Sequence, residues 1–203
     1  METEKQKLPH QKDAVVKKER EKMSKKIVVL TGSPRKNGNS FAMTDAFIQA
    51  AQAKGHTVTR FDAAMRNVGG CHACETCFKT GKACSFDDDF NTVAPAILEA
   101  DTVVFSIPVY WYSIPAQIKG VIDTMFSFCV AGKDLSGKEC ILLACCEEND
   151  MSVLDGVRIP IERTAALLKW KMAGEILISG VFGAGEIEKT DGCRKAAELA
   201  GKL

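Results

Sequence analysis

The feature that most constrains this chain is an alternation that begins near residue 26, where short β-branched apolar runs are each followed by residues at helical spacing. Ile27, Val28, Val29 and Leu30 form the first run, and Thr31-Gly32-Ser33-Pro34 breaks it at once, as a buried strand entering a turn would. Residues 40–54 carry Phe41, Ala42, Ala46, Phe47 and Ala50 at helical intervals and stop at Gly55. The rhythm continues with a strand over 57–61, a helix over 89–100, a strand within 101–108 and a helix over 115–128. A strand over 139–145, a mostly helical stretch over 152–170, a strand over 175–181 and a helix over 191–203 complete it. Such alternation predicts an α/β fold: a five-stranded parallel sheet with helices on both faces. With strand order 2-1-3-4-5, the order reverses between the first and third strands.

The chain has 203 residues, enough for one domain of this kind over 26–203, preceded by a charged extension over 1–25. A Gly- and Cys-rich insert over 67–88 interrupts the rhythm. Lys plus Arg number 27 against 26 Asp plus Glu, and this near-balance speaks against a dedicated nucleic-acid binder. It is unevenly spread. Residues 1–26 hold nine basic and five acidic side chains, leaving 18 basic against 21 acidic on the rest. The extension reads as a solvated, partly helical segment; an arm for an anionic partner is the alternative. Apolar stretches such as 141–146 are far too short to cross a bilayer, and the charged N-terminus lacks the apolar core of a signal peptide. No membrane role is expected. Nine cysteines without an export signal fit a reducing, cytoplasmic setting, where clustered thiols bind metals or do redox chemistry.

Ligands of an open parallel sheet bind beyond the carboxyl ends of its strands, at the reversal of strand order. The loop after the first strand is Gly32-Ser33-Pro34-Arg35-Lys36-Asn37-Gly38-Asn39-Ser40 and runs into a helix. Free N–H groups and the positive end of the helix dipole make such a place an anion site. Ser33, Asn39 and Ser40 add neutral donors, and Arg35 adds a fork suited to phosphate. Five residues separate Gly32 from Gly38 and Asn39 follows, so this is not a Walker A loop; nor does the chain contain G-x-G-x-x-G. The loop after the third strand is Pro108-Val109-Tyr110-Trp111-Tyr112-Ser113-Ile114-Pro115, which gathers both tyrosines and one of the two tryptophans. Three adjacent aromatics cannot all point inward, so a stacked planar ligand is expected there; an oligomer contact is the alternative. Trp170 reads as core packing. A phosphate at one end and a flat ring at the other suit flavin mononucleotide (FMN). The loop after the fourth strand brings Cys145, Glu147, Glu148 and Asp150 to the same crevice. Its amides could reach the polar edge of the ring, and its carboxylates would disfavour added negative charge and influence nicotinamide approach.

Cys71, Cys74 and Cys77 are spaced by two residues and can aim three thiolates at one object, with Cys84 closing the shell. Four thiolates suit a [4Fe-4S] cluster. The spacing departs from the ferredoxin run, because six residues precede Cys84 and Ser85 follows it. Zinc and free, redox-active thiols remain alternatives. Cys140, Cys129 and Cys193 read as small buried hydrophobes, and Cys145 and Cys146 as weak redox candidates beside the crevice. His10, His56 and His72 are not placed as bases for a nucleophile, so hydrolysis is a poor reading.

The loop from Gly32 to Ser40 resembles the phosphate loop of the flavodoxin-like NAD(P)H-dependent FMN reductases. The segment from Pro108 through Lys119 to Asp123 is similar to that family's second FMN loop and following helix, and Cys71, Cys74, Cys77 and Cys84 with Asp87, Asp88 and Asp89 are similar to the cysteine motif of its iron–sulfur flavoprotein branch. The resemblance covers about residues 26–203. It implies a flavodoxin-like fold, reduction by NADH or NADPH, and a homodimer or homotetramer with flavin sites near subunit contacts. By this resemblance Ser33, Arg35, Asn39 and Ser40 hold the phosphate, and Pro108, Val109, Tyr110 and Trp111 line the flavin. The extension before Lys26 and the acidic third loop depart from the family pattern. The expected function is an FMN-dependent oxidoreductase passing electrons from NAD(P)H to a quinone, a flavin or another small acceptor, with no side-chain acid or base required. The alternative is an electron carrier in which a cluster on Cys71, Cys74, Cys77 and Cys84 exchanges electrons with FMN and a ferredoxin-like partner. A thiol-based redox regulator is a third, weaker reading.

Overall fold

Strand β1 (Lys26–Thr31) is buried from Ile27 onward, so both faces of its pleat find apolar cover. The computed structural model describes residues 24–203. The extension expected over 1–25 therefore lies, apart from its last two residues, outside the described residues. Strands β2 (Thr57–Asp62), β3 (Thr102–Pro108), β4 (Glu139–Cys145) and β5 (Lys171–Ile178) join β1 in one parallel sheet, ordered β2-β1-β3-β4-β5. This is the flavodoxin-like order expected from the sequence.

Helices α1 (Asn39–Ala53) and α6 (Gly192–Ala200) cover one face. Helices α2 (Phe90–Glu99), α3 (Ala116–Thr124), α4 (Phe126–Val130) and α5 (Asp155–Leu167) cover the other. Side chains alternate along a strand and so build two cores. Ile27, Val29, Val104, Ile141 and Leu143 pack with Met43 and Phe47 of α1 and Ala196 of α6. Val28, Leu30, Val103, Phe105 and Leu142 pack with Phe90, Ile97, Ile118, Phe128 and Ile161.

Several boundaries differ from the sequence expectation. The helix over 115–128 breaks at Met125, just after Thr124, whose hydroxyl donates to Gly120 O at 2.8 Å; such back-bonding bends helices. The stretch over 152–170 opens as a 3-10 turn, Met151–Leu154, with Asp150 accepting the Ser152 N–H, and α5 ends at Leu167. Trp170 lies beyond that end, buried, and its indole N–H donates to Leu135 O at 2.6 Å. β5 occupies Lys171–Ile178 rather than 175–181. It is an edge strand, only part-buried, and so lacks a continuous apolar signal; Gly180, at φ 72°, follows it in left-handed backbone. Cys140 is buried as expected, but Cys129 is exposed on α4 and Cys193 is half-buried. The short α4 buries Ser127 and Phe128 and leaves Cys129 outward. Among the described residues no cysteine is in a disulfide, and no helix is long and apolar enough to cross a membrane.

Candidate functional site

The loops after β1, β3, β4 and β5 enclose a cleft of about 540 Å³ at the carboxyl ends of the strands. At its first end the chain leaves β1 through Gly32, whose N–H donates to Ser106 O at 2.9 Å. A Cβ at Gly32 would lie 2.7 Å from Ile118 Cγ2, so glycine lets α3 press against the loop. Ser33 Oγ accepts the Arg35 N–H at 3.1 Å, and Gly38 N–H donates to Arg35 O at 2.9 Å, folding a tight turn. Gly38 enters α1 in extended backbone without a capping side chain. The first N–H groups of α1 are therefore left for an anion. Inside, Thr44 Oγ1 donates to Ser106 Oγ at 2.7 Å and fixes α1 against β3.

At the second end, Tyr110 and Ser113 exchange backbone hydrogen bonds of 3.0 Å each way. Trp111 (φ 47°) and Tyr112 (φ 60°) form the two-residue turn between them, both left-handed. Bulky residues adopt that backbone at a cost, and such strain concentrates at functional sites. The turn sits on α5 at Gly156, where a Cβ would lie 1.7 Å from Tyr112 O. Trp111 is 95% exposed and projects from the rim. Glu148 beside the Tyr112 hydroxyl, through hydrogen bonding and then charge, pushes the phenol's pKa up.

Cys145, Cys146, Glu147 and Glu148 form the third wall. Val109 N–H donates to Cys145 O at 2.9 Å, joining second and third loops. Burial pushes the Cys145 thiol up to about 12, and burial raises Cys146 as well. Burial thus disfavours the reactive thiolate at both.

The cleft brings together every residue expected to hold the cofactor: Ser33, Arg35, Asn39, Ser40, Pro108, Val109, Tyr110, Trp111, Cys145 and Glu147. Asn39 is committed differently from the expectation. Its amide donates to Gly183 O at 3.0 Å and accepts the Ile187 N–H at 3.2 Å, tying down the loop after β5. That loop supplies the wall that sequence reasoning missed: Val181, Phe182 and Ala184. The Arg35 guanidinium lies over the Phe182 ring at 5.6 Å, and Glu186 accepts the N–H groups of Phe182 and Gly183. The available signal was the glycine spacing Gly180, Gly183, Gly185. The donor set fits FMN: the Ser33–Ser40 end presents hydroxyls, a guanidinium and helix N–H groups without a carboxylate, and the opposite end is aromatic.

A second pocket, of about 190 Å³, is lined by all four cysteines of the insert together with Thr124, Phe126 and Ser127. The insert is seated on α3 at Gly120, where a Cβ would lie 2.9 Å from Gly69 O. Its ends are tied by Asp88, accepting the Gly69 N–H at 2.7 Å, and Asp89, accepting the Asn67 N–H at 2.8 Å. Ala73, Glu75 and Phe78 are left-handed and wind the backbone round the pocket. Turns of this kind aim N–H groups at anions, iron–sulfur groups included. Burial pushes the Cys77 thiol up, and Cys74, Cys84 and Cys71 add to the effect, so the four sulfurs sit within electrostatic reach of one another. Among the described residues no three His, Cys, Asp or Glu side chains are grouped to hold a single metal ion.

The family model described as NADPH-dependent FMN reductase matches residues 25–154. An iron-sulfur flavoprotein of Archaeoglobus fulgidus is 33% identical over 103 residues, 51% of this chain and 46% of its own. An iron-sulfur flavoprotein of Methanosarcina thermophila is 31% identical over 98 residues, 48% of this chain and 51% of its own. The chain spans about half the length of the curated relatives it matches. The crystal structure of an azoreductase from Bacillus anthracis has a TM-score of 0.68 at 20% identity, covering 88% of this chain and 100% of that one. At that identity the likeness is one of fold.

Proposed function

The chain belongs to the NADPH-dependent FMN reductase family, and from that premise we propose that it is an FMN-dependent oxidoreductase passing electrons from NAD(P)H to a quinone, a flavin or another small acceptor. The observation that carries this reading is the two-ended cleft, with phosphate donors at the Ser33–Ser40 end and a strained aromatic turn at the other. When bound, FMN would supply the two-electron redox chemistry. The residues of the chain bind and orient. Arg35, Ser33, Ser40 and the start of α1 would hold the phosphate; Asn39 keeps the loop after β5 in place as a wall. Pro108, Val109, Tyr110 and Trp111 line the end of the cleft that would take the ring, and the backbone at Cys145 and Glu147 would serve its polar edge. No side chain is asked to move a proton. Glu147 and Glu148 lend the mouth negative charge that influences how a nicotinamide approaches. The exposed Trp111 favours contact with a second copy of the chain, in a homodimer or homotetramer. The free thiols favour a reducing, cytoplasmic setting. Purified protein should take up FMN and, with it, oxidise NADH or NADPH when a quinone is added. Failure to bind FMN would sink the proposal.

The four-cysteine pocket favours a second reading in which Cys71, Cys74, Cys77 and Cys84 hold a [4Fe-4S] cluster and a ferredoxin-like protein is the electron partner. Its support is that all four cysteines line one concavity, beside left-handed backbone at Ala73 and Glu75. Anaerobically purified protein should then carry stoichiometric iron and sulfide; their absence returns the motif to free thiols.

A further inference from the structure

We propose that Glu148, together with Glu147, sets the charge class of the electron acceptor: the cleft favours planar acceptors that are neutral or cationic and disfavours anionic ones. This deepens the FMN-reductase reading above and rests on it. The lining of the cleft divides its charge between two ends. Arg35 is the one cationic side chain on that lining, and it lies at the Ser33–Ser40 end, over the Phe182 ring. Glu147 and Glu148, both exposed, are its two carboxylates and stand on the loop after β4, next to the aromatic turn. That loop is pinned on both sides. Val109 N–H donates to Cys145 O at 2.9 Å, Val181 N–H to Cys146 O at 2.9 Å, and Gly180 N–H to Glu148 O at 2.8 Å. The Glu148 carboxylate also meets the Tyr112 hydroxyl and pushes that phenol's pKa up, so its charge is held against the turn. An acceptor stacked among Tyr110, Trp111 and Tyr112 would therefore lie beside fixed negative charge, with no cation at its own end of the lining. Fixed charge of one sign around a cleft selects among ligands by their charge, and like charges brought together are penalised. Reduction of a neutral quinone suits this end: NAD(P)H gives a hydride, solvent gives a proton, and the quinone leaves as a neutral hydroquinone. The donor ring is not opposed, because nicotinamide is neutral when reduced and cationic once its hydride has gone.

The test uses FMN-loaded protein and two naphthoquinones of the same ring, one neutral and one bearing a sulfonate. Their Kd values are read by titration of the oxidised protein without nicotinamide, and kcat/KM is read with it. Wild type is compared with Glu148→Gln, with the double variant Glu147→Gln/Glu148→Gln and with Glu148→Asp, so that the intrinsic reactivity of each quinone cancels. Each carboxylate removed should shift the preference towards the sulfonate about three- to fivefold. Glu148→Asp, which keeps the charge, should stay near wild type. Raising salt to about 1 M, which screens exposed charge, should move wild type in the same direction as the variants. Equal ratios in wild type and the double variant overturn this inference and leave the FMN-reductase reading standing. A wild type that binds no FMN overturns both.

Discussion

Arg35 and Asn39 share one loop yet have separate tasks. The guanidinium of Arg35 faces the cleft, braced by the Phe182 ring. A charge-assisted hydrogen bond contributes about 1.5–3 kcal/mol, so Arg35→Ala should weaken FMN binding roughly 10- to 100-fold, read by flavin fluorescence titration. An unchanged Kd would remove Arg35 from the phosphate site. Asn39 bonds to Gly183 O and the buried Ile187 N–H. Its replacement by Ala leaves those groups unpaired at a cost of about 1–3 kcal/mol, so the denaturation midpoint should fall even without FMN. A variant of wild-type stability would show that the bridge contributes nothing. Thiol reactivity separates the cysteines too. Burial pushes the Cys140 and Cys145 thiols up to about 12, whereas Cys129 is exposed. Brief native alkylation should label Cys129 and spare the other two, as read by peptide mass spectrometry. Sequence placed the phosphate-loop residues and the cysteine motif; it could not know which Asn39 atoms the loop after β5 would consume, because that loop is over 140 residues away along the chain.

At the scale of elements, α3 packs on the first loop through Ile118 and reaches the cysteine pocket at Thr124. It starts beside the aromatic turn and ends at Thr124 on the cysteine pocket. At about 1.5 Å per residue, its nine residues set the two ends about 13 Å apart. Gly120 on this helix seats the insert against Gly69 O. Gly120→Ala should loosen the insert, making residues 67–88 more susceptible to limited proteolysis, while FMN affinity stays within about twofold, because no residue of α3 lines the cleft. Resistance equal to wild type would mean the insert is held elsewhere. Gly156→Ala acts on the other pocket: its Cβ collides with Tyr112 O, so the aromatic turn must lift and FMN binding should weaken. Strands β1, β3 and β4 were legible from their apolar runs, and β2 from its alternation. The break in 115–128 and the start of β5 were not. The first depends on a threonine's choice of acceptor, and the second on pairing of a part-buried edge strand with β4.

At the scale of the whole molecule, the junction before β1 carries a pH dependence. His56 is buried and its Nδ1 accepts the Lys25 N–H at 3.1 Å. Burial first, and the Lys25 charge second, lower its pKa. The folded state therefore resists protonation that the unfolded chain accepts near pH 6.5. The stability His56 contributes is present above that pH and is lost as pH falls through it towards the folded value. Urea midpoints measured above and below it should show the loss, and His56→Gln should flatten it; an unaltered slope in the variant assigns the effect elsewhere. By itself, the sequence determined the order of strands and helices, the alternation that splits the core into two faces, and the chemical types gathered in each loop. All of these follow from local periodicity and turn residues, which a short window contains. Only the tertiary structure decided the loop after β5 as the cleft's remaining wall, the seat of the aromatic turn on Gly156, and the seat of the cysteine insert on Gly120. Each depends on contacts between segments distant in sequence, whose distances are set by how the helices pack on the sheet rather than by any local preference.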